Sequence, residues 1–116
     1  MKPSDRICVI GGGRIGLPIS VRLSGVGAKV EILELDEEKI VKINSGESPF
    51  FEEGMQAILE SSVGEGRLKA TSNQDIISSC NIIISAIGTG INEDGTPDVE
   101  SLQNLSEMLS SRLNPG

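Results

Sequence analysis

The chain has 116 residues, enough for one domain with a core of its own and small for a complete two-substrate enzyme. Its net charge of −7 and its two aromatic residues, Phe50 and Phe51, argue against nucleic acid or an anionic membrane as partner. Histidine is absent, which excludes imidazole acid–base chemistry and imidazole metal ligation for these residues. No apolar run reaches membrane-spanning length and the N-terminus lacks a signal-peptide core. Cys8 and Cys80 sit in or beside apolar runs and read as small buried hydrophobes of a reducing compartment, so a cytoplasmic location is expected.

After a short polar lead-in, residues 7–10 (Ile-Cys-Val-Ile) form an apolar run suited to a buried parallel strand. Gly11, Gly13 and Gly16 then fill the fixed positions of G-x-G-x-x-G between that strand and a helix expected over 14–24. Gly11 permits the turn, Gly13 lets the backbone approach a pyrophosphate, and Gly16 lets the helix pack on the sheet without a Cβ. The unpaired N–H groups and positive dipole end of the new helix favour phosphate. Pro18 is harmless in the first turn, and Ile15, Ile19 and Leu23 share one face, expected to be the buried one.

Gly25 and Gly27 end this helix, and a second apolar run over 30–35 closes on Glu34, eighteen positions after Gly16. A carboxylate at that strand tip accepts hydrogen bonds from ribose hydroxyls and repels a 2′-phosphate, so the expected cofactor is NAD rather than NADP. Asp36 caps a short helix over 37–44 with Ile40 and Ile43 inward. Past a polar loop, Met55, Ile58, Leu59 and Val63 mark a helix over about 52–63, stopped by Gly64 and Gly66. A brief third strand is expected over 67–71, and Ser72 with Asp75 reads as a capping box for a helix to Ser79.

Residues 82–87 read as a fully buried fourth strand, followed by Gly88-Thr89-Gly90. Thr89 is either a hydroxyl donor to a ribose or phosphate or the start of a flexible loop. Asp98 caps a last helix with an apolar stripe of Val99, Leu102, Leu105, Leu109 and Leu113. The carboxylates Glu93, Asp94 and Asp98 read as a solvated turn and a cap, and their spacing fits no cation loop. The sum is the first half of a Rossmann-type doubly wound parallel sheet plus one helix, a three-layer α/β/α domain in the order 3-2-1-4. The ligand crevice is expected at the switch point between strands one and four.

Nearly the whole chain resembles the NAD-binding domain of the UDP-glucose/GDP-mannose dehydrogenase family. The family's G-x-G-Y-V-G-L-P is matched by residues 11–18, its D-x-D-x-x-K-V by 34–40, and its G-R-L-x-A-T by 66–71. More specific are the family's S-P-I-Y-E-P-G, matched by 48–54, and its A-V-P-T-P-L-D-E-D-G-x-P-D, matched by 86–98. The resemblance implies that Gly11, Gly13, Arg14, Ile15 and Gly16 line the pyrophosphate and that Glu34 takes the ribose. It also implies that Lys39 approaches the adenosine end and that Ile87, Gly88 and Thr89 meet the cofactor after strand four. Arg14 stands where the family has an aromatic, as a phosphate contact or a solvated side chain. Gly88, Gly90 and Glu53 stand where the family has prolines.

Family members continue into a central helix and a second domain that carry the catalytic cysteine, lysine and asparagine and the UDP- or GDP-sugar site. No catalytic residue is therefore expected within residues 1–116, which read as a truncated domain, with a homodimer expected of the full-length protein. Two other readings share the glycine motif and acidic strand tip: a regulatory NAD-sensing module and the NAD domain of a β-hydroxyacid dehydrogenase. The first lacks the loops at 48–54 and 92–98, and in the second the loop after strand four normally differs.

Overall fold

The computed structural model of the chain describes residues 4–87, 93–95 and 99–112. Four parallel strands make the sheet: β1 (Arg6–Ile10), β2 (Lys29–Leu33), β3 (Leu68–Thr71) and β4 (Ile82–Ser85). Their order is β3-β2-β1-β4, as expected, with Cys8 in register with Glu31 on one side and Ile83 on the other. Alternation of side chains across a strand assigns each residue to one of two faces. On one face Ile7, Val9, Val30, Ile32, Leu68 and Ala70 bury against α1 (Gly16–Gly25), α2 (Glu37–Asn44) and α3 (Met55–Gly64). On the other, Cys8, Ile10 and Leu33 bury against α4 (Ile76–Ser79) and against Leu105, Met108 and Leu109 of α5 (Val99–Arg112). The result is the expected three-layer arrangement, with the C-terminal ends of the strands at one end of the molecule.

Four local expectations need correction. The face of α1 that enters the core carries Leu17 and Val21, not Ile15, which is 66% exposed. The helix can turn that way because the buried serines on the same face satisfy themselves: Ser20 Oγ donates to the Gly16 carbonyl at 2.8 Å and Ser24 Oγ to Val21 at 2.9 Å. The helix expected from residue 52 begins at Met55, because Gly54 just before it takes φ +80°. No Ser72–Asp75 capping box forms; Asn73 Oδ1 accepts the Asp75 N–H at 3.0 Å instead, and the helix is a single turn. β4 is shorter than expected and half-exposed, because one of its edges has no neighbouring strand among the described residues. Asp98 and the side chains of Val99, Leu102 and Leu113 lie outside the described residues.

Candidate functional site

β1 delivers the chain to the sheet's C-terminal end, where Gly11 takes φ +104° and donates its N–H to the Leu33 carbonyl at 2.8 Å. The turn lies on the end of β2, which brings Glu34 alongside. The carboxylate is held by three main-chain donors: Gly12 N–H to Oε1 at 2.9 Å, and Leu35 and Asp36 N–H to Oε2 at 2.8 and 2.9 Å. Two carboxylate oxygens offer about four acceptor positions, so about one is left for an outside hydroxyl.

The other glycines divide the work. A Cβ on Gly16 would overlap the Gly11 carbonyl oxygen and come 3.2 Å from Ala86 Cβ, so this glycine lets α1 start directly on the turn and on the end of β4. A Cβ on Gly13 would meet nothing within 4 Å. Gly13 is bare toward open space, as close backbone approach to a phosphate requires. The helical ladder starts with Leu17 N–H donating to Gly13 at 3.0 Å, so the N–H groups of Arg14, Ile15 and Gly16 stand ahead of it.

A cleft of about 350 Å³ opens here, and five of the expected site residues line it: Gly11, Gly13, Glu34, Lys39 and Ile87. Gln74 and Met108 also line it. Both escaped sequence reading, because the turn before α4, which carries Gln74, and α5, which carries Met108, come to this end only with the crossover on the second face. Gly12 was missed too: as the variable position of the motif it carries no signal, yet its N–H holds Glu34 in place. Gly16 is buried beneath the turn rather than in the cleft, and Ile15 faces outward. Arg14 is exposed, its guanidinium 5.1 Å from the centre of the Phe50 ring, a cation–π contact that ties the loop over 45–54 to the glycine turn. Gly88 and Thr89 lie outside the described residues.

The donor set suits a dinucleotide diphosphate: uncovered backbone amides at a helix start, a bare glycine, and a rigid carboxylate with an acceptor position left over. The only thiols are buried away from the cleft, and burial pushes Cys8 up to about 12, with Cys80 and Glu31 adding to the rise. Neither thiol is a nucleophile at neutral pH.

Residues 5–116 match the model of the UDP-glucose/GDP-mannose dehydrogenase family, NAD binding domain. The chain is 30% identical over 109 residues to the UDP-glucose 6-dehydrogenase of Pseudomonas aeruginosa, covering 93% of this chain and 24% of that protein. Among solved structures it superimposes with a TM-score of 0.87 on the UDP-D-ManNAc dehydrogenase of Pyrococcus horikoshii, at 29% identity over 96% of this chain and 26% of that one. A GDP-mannose dehydrogenase from Pseudomonas aeruginosa, solved as a ternary complex, gives 0.85 at 27% identity over 90% of this chain and 24% of that one. The chain thus spans about a quarter of the length of these relatives.

Proposed function

The chain belongs to the UDP-glucose/GDP-mannose dehydrogenase family as its NAD-binding domain, and from that premise we propose how its residues hold the cofactor and what reaction it serves. Membership sets aside the NAD-sensing module and the β-hydroxyacid dehydrogenase domain. In our reading, residues 1–116 act as one domain. The amides of Gly13, Arg14 and Ile15 meet the diphosphate, and Gly11 and Gly16 give the turn its shape. Glu34 accepts an adenosine ribose hydroxyl on its remaining acceptor position. Lys39 lies along the adenosine end, Ile87 lines the cleft at the end of β4, and Gly88 and Thr89 are assigned to the cofactor by their place in the family motif. NAD, when bound, supplies the hydride acceptor. The chain's own residues bind and orient it.

For the whole protein we propose oxidation of the primary alcohol of a UDP- or GDP-sugar to the uronic acid. The sugar site and the covalent chemistry are assigned to residues outside these 116. A homodimeric whole protein in the cytoplasm completes the reading, supported on compartment by two free, buried cysteines.

One observation carries the assignment of the cleft: the Glu34 carboxylate, pinned by the Gly12 N–H beside a bare Gly13. Calorimetric titration with NAD and NADP tests it. NAD is expected to bind at least tenfold more tightly, and Glu34→Ala to lose most of that preference. Equal affinity of the unaltered chain for both would overturn it. Among the described residues no helix is long and apolar enough to cross a membrane.

A further inference from the structure

At the opposite end of the sheet, where the strands begin, the second face carries a charge pattern that the fold does not account for. Arg6 opens β1 in register with Lys29, which opens β2. Arg67 immediately precedes β3, its carbonyl accepting the Val30 N–H at 2.8 Å. Three cations thus stand in a row across three neighbouring strands, and one row on, Lys69 is in register with Glu31. Like charges side by side on a sheet destabilise it, and this row occurs in a chain of net charge −7. A hollow of about 250 Å³ collects Arg6, Lys29, Glu31, Gly66, Arg67 and Lys69.

The neutralisation inside this cluster is one-sided. Arg6 and Lys69 both pair with Oε1 of Glu31, at 3.0 and 3.3 Å. Glu31 Oε2 is buried with no hydrogen-bond partner, on a residue only 7% exposed. Arg67 pairs with Glu65 at 2.8 Å through Nη1, while its Nε is buried without a partner. Lys29 makes no ion pair among the described residues. In the ion pairs among the described residues, the four cations of this cluster meet two carboxylates, a surplus of two positive charges. An unpartnered buried carboxylate oxygen is costly and calls for a hydrogen-bond donor, while the surplus calls for an anion.

One ligand chemistry answers both demands. We propose that this hollow is a second binding site, separate from the dinucleotide cleft, for a phosphomonoester that carries a hydroxyl. The phosphate lies on Lys29, Arg67 and Arg6, and the hydroxyl donates to the Glu31 carboxylate, which lines the hollow. A bare anion satisfies the cations alone, and a neutral polyol satisfies the carboxylate alone. The site faces away from the glycine turn, so its occupancy does not require an empty cleft.

Titration of the protein with glycerol 3-phosphate and with ethyl phosphate, which lacks the hydroxyl, tests the assignment by calorimetry and by amide chemical shifts. Glycerol 3-phosphate is expected to bind saturably, about tenfold more tightly than ethyl phosphate, and with ADP-ribose present at saturation. Lys29→Ala, an exposed position that leaves the core intact, is expected to weaken both ligands at least fivefold. Glu31→Gln is expected to erase the difference between the two. If neither ligand binds, if ADP-ribose displaces them, or if Lys29→Ala leaves their affinities unchanged, the site does not exist. Equal affinities in the unaltered protein would overturn the role given to Glu31.

Discussion

Gly13 and Gly16 are both motif glycines, three residues apart, and the space around them assigns them opposite duties. A methyl group on Gly16 runs into the carbonyl of Gly11, a main-chain atom that cannot swing aside. Gly16→Ala is therefore expected to cost about 3 kcal/mol of stability, at the upper end of overpacking, read as a lower urea midpoint. A methyl on Gly13 meets open space, and Gly13 does not need positive φ. Gly13→Ala should leave stability unchanged or raise it by about 0.5 kcal/mol through the unfolded chain, while NAD affinity falls at least tenfold because the methyl occupies the phosphate's approach. A loss of stability in Gly13→Ala equal to that in Gly16→Ala would refute the division. The motif made both glycines and Glu34 legible in the sequence, since their spacing is local. The Gly12 bond to Glu34 was not legible, because it joins residues 22 apart that meet only after β1 and β2 pair.

Among the elements, β3 is the weakest by composition and forms an edge of the sheet, where unpaired main-chain groups invite other strands. The last residue of α2 covers it. Asn44 Nδ2 donates to the Ala70 carbonyl at 2.9 Å, and its Oδ1 accepts the Ala70 N–H at 2.7 Å, the two bonds a neighbouring strand would make. Asn44→Ala removes both and should cost about 2 kcal/mol, with the Ala70 amide exchanging faster in hydrogen-exchange experiments. Asn44→Asp keeps the acceptor and should cost less. An Ala70 amide that exchanges equally slowly in both variants would show that Asn44 is not what closes this edge. Element order and sheet order were legible from apolar runs punctuated by glycine. The buried face of α1 was not, because periodicity counts Ser20 and Ser24 as polar, whereas their hydroxyls are satisfied within the helix and enter the core. The full burial expected of β4 failed for a different reason: an isoleucine run shows that a strand is apolar but not how many neighbours it has.

In the whole molecule the sheet is a partition with chemistry at both ends and cysteine in between. Cys8 lies at 0% exposure on the second face, and its thiol is pushed up to about 12 by burial, then by Cys80 and Glu31. Cys80 is raised for the same first reason, with Ser79 and Arg6 pulling the other way. In the unfolded chain a cysteine ionises near its ordinary value of 9.0. Between that value and about 12 the unfolded state gives up a proton that the folded state keeps. The unfolded state then binds fewer protons, and stability falls as pH rises through this window. Below it the contribution is complete. Urea unfolding from pH 7 to pH 10.5 should accordingly show a falling midpoint, and Cys8→Val should flatten the decline while leaving the midpoint at pH 7 little changed. The same burial means that a thiol reagent reaches Cys8 only when the sheet opens. Its rate should follow global stability across the variants above, slow in Gly13→Ala and fast in Gly16→Ala. A Cys8 rate indifferent to Gly16→Ala would mean that the second face opens by itself, and the two layers would then be separate cooperative units rather than one.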